Sequence, residues 1–92
     1  MEMAKYIMSI LQTQLMVVWS WGFHNPVAIE NGLQFKVSGF KFKGIIEVFY
    51  DEGWDLFNVR FIKGSKVIET IEGVYFDTLV NTIDYYVETP NS

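Results

Sequence analysis

Apolar and polar residues alternate through most of the stretch from Leu33 to Ile71, and this pattern predicts four β-strands joined by three tight turns. The two-residue turns are placed at Ser38-Gly39, Glu52-Gly53 and Gly64-Ser65, where Gly and Ser favour a sharp reversal of the chain. Residues that face each other across such hairpins share one side of the sheet. These turns keep apolar residues opposite apolar residues, so the stretch predicts an antiparallel meander with one continuous apolar face.

This predicted core face collects the apolar residues that recur at every second position. Its members are Phe35, Val37, Phe40, Phe42, Ile46, Val48, Phe57, Val59, Phe61 and Ile68. A sheet must bury its apolar side against another element, so we expect helices to cover this face.

Two amphipathic segments flank the meander. Residues 2–21 have apolar residues at a spacing of three and four, which predicts an N-terminal helix that ends where Gly22 adopts the left-handed conformation. A second helix is predicted after Gly73 and ends at Thr89-Pro90, and we expect the last few residues to be frayed. Its apolar stripe consists of Phe76, Leu79, Val80, Ile83 and Val87.

The chain of 92 residues is long enough for one domain, which we assign to residues 1–92. The predicted fold class is α+β, a two-layer domain with an N-terminal helix, a four-stranded antiparallel meander and a C-terminal helix. Residues 27–32 leave two alternatives open. They extend the first strand, or a turn at Asn31-Gly32 adds a further short strand.

The second face of the predicted sheet is only partly polar. The predicted register places Phe49 opposite Leu56, Ile45 opposite Arg60, and Ile62 opposite both Lys43 and Val67. Both helices are needed on the core face, and an exposed apolar patch with a charged rim is typical of an interaction surface. We therefore predict a small non-enzymatic interaction or binding module that binds a protein partner or associates with itself, in the latter case as a homodimer. The predicted interface residues are Ile45, Phe49, Leu56, Ile62, Lys43 and Arg60.

An aromatic segment around the only histidine supports an alternative, a small-molecule-binding domain with a pocket between the first helix and the sheet. The predicted ligand-binding residues are Trp19, Trp21 and His24. The structural interpretation is that the tryptophans close the end of the core and His24 lies in the following loop. Imidazole titrates near neutral pH, yet the sequence identifies no nucleophile or orienting group beside it. We predict no catalytic residues.

Net charge of −4 argues against nucleic acid as the main partner, because phosphate binding needs a basic field. Lys36, Lys41 and Lys43 form a basic patch that could contact single-stranded nucleic acid, but Phe40 and Phe42 are predicted to point to the opposite face. An electrostatic docking site for an acidic partner is the favoured interpretation of this patch. The order of elements resembles that of a double-stranded-RNA-binding domain with one strand added. Such a domain needs basic residues at the start of its second helix to contact phosphates, whereas this chain has no Lys or Arg after Lys66.

The chain has no cysteine, which excludes disulfides and thiolate metal sites and is compatible with the cytoplasmic location that we predict. Asp51, Glu52 and Asp55 are interpreted as a solvated turn, and no metal or cofactor is predicted. Polar residues interrupt the first helix, which falls short of the roughly 18 apolar residues of a membrane span. It also lacks the cleavage site of a signal peptide.

Overall fold

The computed structural model of the protein describes residues 2–88, in which helices precede and follow a five-stranded sheet along the chain. The helices are α1 (Glu2–Gln12), α2 (Leu15–Ser20) and α3 (Leu79–Glu88), the last preceded by a 3₁₀ turn at Phe76–Thr78. The strands are β1 (His24–Ile29), β2 (Gly32–Ser38), β3 (Lys43–Asp51), β4 (Leu56–Lys63) and β5 (Lys66–Val74). The frayed C-terminal residues expected from the sequence lie outside the described residues.

The sheet is an antiparallel meander in the order β1-β2-β3-β4-β5. This confirms the α+β class and the order of helix, sheet and helix, but the number of strands is five and not four. The added strand is β1, which includes part of the ambiguous segment 27–32. Ile29 pairs with Gly32 across a two-residue connection, in which Asn31 has φ 59°.

The predicted N-terminal helix is divided into α1 and α2 at Thr13. The amide of Thr13 donates to the carbonyl of Ile10 over 3.2 Å, and its hydroxyl donates to the same oxygen over 2.6 Å. Such local bonds compete with the regular helical pattern and end α1. Val18 and Trp21 of the following segment are buried in the core, and Gly22 has φ 71°, as the sequence predicts for the residue after a helix.

All three helices pack against the same face of the sheet and form one core with it. The helical and adjoining members of the core are Ala4, Ile7, Ile10, Leu11, Val18, Trp21, Leu79, Val80, Ile83 and Val87. The sheet contributes Leu33, Phe35, Val37, Ile46, Val48, Phe57, Val59, Phe61 and Val74, and the β2–β3 loop contributes Phe42. Two-layer packing with a single core therefore leaves the other face of the sheet outside the core.

Eight of the ten residues predicted for the core face are buried, and the exceptions are Phe40 and Ile68. Phe40 is 75% exposed because it lies in a four-residue loop, residues 39–42, where the sequence predicts a two-residue turn. Ile68 is 44% exposed because β5 has an extra residue opposite the step from Phe61 to Ile62. Both errors concern local irregularities rather than the alternation itself.

The β2–β3 loop is long because it closes the end of α3. The amides of Lys41 and Phe42 donate to the carbonyl of Val87 over 2.7 and 3.2 Å. The last carbonyls of a helix have no partner within the helix, so these loop amides satisfy one of them. The side chain of Phe42 is buried and packs edge-on against Phe61 and Tyr86.

The other two connections differ in how well the sequence predicts them. Residues 52–55 join β3 to β4, so the predicted two-residue turn Glu52-Gly53 is wrong, whereas Gly64-Ser65 joins β4 to β5 as predicted. The first two connections shift the pairing by an even number of residues. Since side chains alternate with a period of two, the division between the two faces survives in β2, β3 and β4.

The stripe predicted for the C-terminal helix is confirmed except at its first residue. Leu79, Val80, Ile83 and Val87 are buried, but Phe76 is 59% exposed in the 3₁₀ turn that precedes α3. Helix α3 begins only at Leu79 because β5 continues to Val74.

Candidate functional site

The face of the sheet opposite the core is the candidate site, and we call it the open face. Strand pairing assigns it the residues that alternate with the buried ones. Its members include Val27, Ile29, Gln34, Lys36, Lys43, Ile45, Glu47, Phe49, Leu56, Asn58, Arg60, Ile62, Val67 and Thr70. The six residues predicted to form an interface all belong to this face.

The pairing of Phe49 differs from the predicted one by two residues. Phe49 lies opposite Asn58, and Leu56 lies opposite Asp51 at the end of the strand pair. The physical reason is the four-residue loop that follows β3. Leu56 is consequently at the margin of the open face and not at its centre.

The first part of the open face is a row of aliphatic side chains across three strands. Ile45 pairs with Ile62, and Ile62 pairs with Val67 as predicted. The predicted opposition of Ile45 and Arg60 is wrong, as is that of Ile62 and Lys43, again because the β3–β4 loop is longer than expected. Ile45 and Ile62 are half-buried, and Val67 is 49% exposed.

An ion pair lies between this aliphatic row and Phe49. Glu47 and Arg60 are directly opposite on β3 and β4, and the Arg60 guanidinium donates to the Glu47 carboxylate over 3.0 Å. The Arg60 guanidinium carbon also lies 4.7 Å from the centroid of the Phe49 ring, within the range of a cation–π contact. The centre of the open face therefore carries both signs of charge beside an aromatic ring.

The two edges of the sheet are poorly suited to pairing with another strand. Edge strand β1 contains Pro26 and a register shift between His24 and Val27. Edge strand β5 contains two register shifts, and near the second the amide of Gly73 donates to Asn58 Oδ1 over 3.2 Å. Proline and bulges are common devices that prevent edge-to-edge association.

The three residues predicted to bind a small molecule are not brought into one pocket. Trp21 is fully buried, and its indole N–H donates to Asp84 Oδ1 over 2.9 Å. Trp19 is 63% exposed and lines a cavity of 270 Å³ together with Phe23 and residues of α1 and α2. His24 is exposed, and its Nδ1 lies 2.7 Å from the carbonyl oxygen of Gly22.

The three lysines of the predicted basic patch do not lie on one surface either. Lys36 and Lys43 belong to the open face, at neighbouring positions of β2 and β3. Lys41 lies in the β2–β3 loop, and its Nζ is 6.0 Å from the centroid of the Tyr85 ring on α3. Only two of the three lysines can therefore contribute to the rim of the open face.

The structure also reveals a site that the sequence pattern does not indicate, which we call the aromatic cleft. It consists of two adjoining cavities of 730 and 390 Å³ that share Trp54 and Leu56. The larger cavity is lined by Met3, Tyr6, Tyr50, Trp54, Asp55, Leu56, Phe57, Tyr75 and Phe76. The smaller is lined by Asp51, Trp54, Leu56, Asn58, Glu72 and Gly73. The signal that could have suggested it is that Trp54 stands in a loop, where an apolar side chain has no core to fill.

The loop between β3 and β4 is held by its own acidic residues. Asp51 Oδ1 accepts bonds from the amides of Gly53 and Trp54, at 3.0 and 3.4 Å. The Tyr50 hydroxyl donates to Asp55 Oδ1, and this bond, together with the neighbouring negative charge, raises the pKa of Tyr50 above its ordinary value. Across residues 2–88, no three Asp, Glu or His side chains are grouped as a metal ion would require.

No protein-family model, curated protein or solved structure matches this chain. Within residues 2–88, none of the helices combines the length and the hydropathy needed to cross a membrane. The function must therefore be inferred from the surfaces themselves.

Proposed function

We propose that this protein is a non-enzymatic interaction module that associates through the open face, with a second copy of the chain as the occupant. A protein partner of similar surface chemistry is the alternative occupant. The observation that carries the proposal is the position of the core. All three helices pack on one side of the sheet, while Ile45, Phe49 and Ile62 remain on the other side and outside the core cluster.

The size of the open face supports this proposal. Five strands spaced about 4.8 Å apart, each up to nine residues long at about 3.4 Å per residue, give a projected area of roughly 600 Å². Stable interfaces bury about 600–1,000 Å² on each partner. An occupant that covers the whole sheet would therefore bury an area at the lower end of that range.

The charges at the centre favour a second copy. In a dimer with two-fold symmetry each subunit contributes the same patch, so the patch must be complementary to itself. Glu47 and Arg60 supply both signs close to such an axis, which would allow the arginine of one copy to approach the glutamate of the other. Phe49 lies beside this pair, and aromatic and arginine side chains are enriched where interfaces gain most of their binding energy.

The irregular edges support a face-to-face arrangement over strand addition. A partner that extended the sheet would have to pair with β1 or β5, and both are interrupted by register shifts. Association through the open face requires no unpaired backbone groups, because its contacts are made by side chains.

Sedimentation velocity over micromolar to millimolar concentrations tests the proposal. We expect the wild type to dimerise and Phe49→Glu to remain monomeric, because each buried patch would then carry two carboxylates, at positions 47 and 49, beside the single guanidinium of Arg60. Phe40→Glu is the matched control, since Phe40 is 75% exposed in a loop away from the open face. It should dimerise like the wild type.

The folding of the variants is checked by circular dichroism and by urea unfolding. The Phe49 side chain lies outside the core, so Phe49→Glu should change the free energy of unfolding of the monomer by no more than about 1 kcal/mol. A wild type that stays monomeric over the whole range would reject self-association. Equal loss of dimer in both Glu variants would reject the open face as the interface.

A further inference from the structure

We propose that the aromatic cleft binds an alkylammonium ion, a positively charged nitrogen that carries carbon substituents. This site is separate from the association proposed above, because Trp54 lies in the β3–β4 loop and Phe49 does not line the cleft. The two sites share only Leu56, on the margin of the open face, and Asn58, which lines the smaller cavity.

Exposed aromatic residues are concentrated at this site. Seven Tyr, Trp and Phe side chains among residues 2–88 are largely exposed, and four of them line the larger cavity. These are Tyr6, Trp54, Tyr75 and Phe76, with exposures of 47%, 77%, 62% and 59%. They come from α1, the β3–β4 loop and the segment between β5 and α3, so the fold brings together aromatic groups that are distant in the sequence.

Buried aromatic contacts give the cleft a fixed floor. Phe57 is 3% exposed, and the rings of Tyr6 and Tyr50 lie 6.1 and 5.5 Å from its ring, centroid to centroid. Tyr50 is held in turn by the hydrogen bond from its hydroxyl to Asp55. The walls formed by Trp54, Tyr75 and Phe76 therefore rise from a packed base and do not collapse into the core.

The charge of the lining is entirely negative among the described residues. Asp55 lines the larger cavity, Asp51 and Glu72 line the smaller one, and no Lys, Arg or His is among the lining residues of either cavity. Aromatic faces attract cations through their quadrupole, and nearby carboxylates strengthen that preference. The two features together select for positive charge with an apolar surface.

A metal ion does not meet this description. Hard cations such as Ca²⁺ require six or more oxygen ligands, whereas six of the nine residues that line the larger cavity are Tyr, Trp or Phe. A substituted ammonium ion is weakly hydrated, offers methyl or methylene groups to the rings and needs no fixed coordination geometry. Cages of aromatic side chains are the usual protein sites for such ions.

The test compares choline with 3,3-dimethyl-1-butanol, which has the same shape but a neutral carbon in place of the charged nitrogen. Binding to the ¹⁵N-labelled full chain is followed by NMR through the indole N–H signals. We expect the Trp54 signal to shift with choline and the signals of Trp19 and Trp21 to stay in place. Choline should bind at least tenfold more tightly than the neutral alcohol, a difference of about 1.4 kcal/mol.

Two matched pairs of variants assign the binding to the cleft. Trp54→Ala should weaken choline binding at least tenfold, whereas Trp19→Ala, which removes an exposed tryptophan elsewhere, should leave it unchanged. Asp55→Asn should weaken binding severalfold, whereas Glu52→Gln removes a charge from the same loop at a residue that lines neither cavity and should have a much smaller effect.

The source of the ammonium group is distinguished by a second ligand, a short peptide that contains trimethyl-lysine. Tighter binding of the peptide would identify a modified protein segment as the ligand, and tighter binding of choline would identify a free small molecule. Equal affinity for choline and the neutral alcohol, or no shift of the Trp54 signal with either charged ligand at tens of millimolar, would overturn the proposal. Selective binding of a neutral sugar would overturn it as well.

Discussion

Phe42 and Phe40 lie two residues apart in the β2–β3 loop, but we expect their replacement to have very different effects on the free energy of unfolding. Phe42 is 3% exposed, while Phe40 is 75% exposed. Phe42 packs edge-on against Phe61 and Tyr86, at centroid distances of 5.6 and 5.7 Å. Replacing a buried Phe with Ala usually costs about 3–5 kcal/mol, from lost transfer energy and the cavity left behind.

We place Phe42→Ala in the upper part of this range. Two aromatic pairs are lost together with the buried area, and such pairs contribute about 0.5–1.5 kcal/mol each beyond burial. The backbone also resists collapse around the cavity, because the amide of Phe42 is bonded to the carbonyl of Val87 and its carbonyl accepts the amide of Gly39. Phe40→Ala should change the free energy of unfolding by no more than about 0.5 kcal/mol.

Urea unfolding followed by far-ultraviolet circular dichroism measures both variants against the wild type. The slope of the free energy against urea concentration should be unchanged, so the effect of Phe42→Ala should be a lower midpoint. Phe42→Leu keeps most of the volume and should lose clearly less. A loss below about 1 kcal/mol in Phe42→Ala, or equal losses in Phe42→Ala and Phe40→Ala, would mean that the loop does not pack as described.

Two further predictions concern the contact between this loop and α3 and the ionisation of a tyrosine beside it. A Cβ at Gly39 would lie 2.1 Å from Val87 Cγ1, so Gly39→Ala should lower the free energy of unfolding in urea by about 1–3 kcal/mol. The control is Gly53→Ala, whose Cβ would meet only Asp51 Oδ1 at 3.4 Å and which should change this free energy by no more than about 0.5 kcal/mol. Burial, and then the charge of Glu69, raise the pKa of Tyr86 above its ordinary value of about 10. The stability that depends on neutral Tyr86 is therefore complete below about pH 10 and is lost as the pH rises through the raised pKa. In ultraviolet titration Tyr86→Phe should remove a tyrosine that ionises above pH 10, and loss of an earlier-ionising one would contradict the assignment.

The sequence predicts which residues of the central strands face the core, because alternation is a local property of the chain. It does not predict the lengths of two loops. The length of the β2–β3 loop is set by its hydrogen bonds to the carbonyl of Val87, which is more than forty residues away in the sequence. Ile68 is misplaced for a similar reason, since a bulge in an edge strand leaves no clear mark in the pattern of apolar residues.

The two candidate sites also differ in how far the sequence predicts them. The open face follows from alternation, so the six predicted interface residues, all on β3 and β4, lie on it even where their predicted pairing is wrong. The aromatic cleft is assembled from Tyr6, Trp54 and Tyr75, which belong to three separate segments and share no spacing. Trp21 shows the converse error. Its aromatic neighbourhood in the sequence indicates a ligand site, but its side chain is fully buried and bonded to Asp84.

The open face and the aromatic cleft meet at Leu56 and Asn58. Both residues belong to the open face, Leu56 lines both cavities of the cleft, and Asn58 lines the smaller one. An occupant of the open face would reach this corner of the sheet, so the two proposed binding events would compete or assist each other there. The direction depends on how far the occupant extends past Phe49, because Asn58, which lies opposite Phe49, also lines the smaller cavity. Any coupling must be reciprocal, since a ligand that alters dimerisation is itself bound with altered affinity by the dimer. Leu56 and Asn58 are therefore the residues through which binding at one site would alter the affinity of the other.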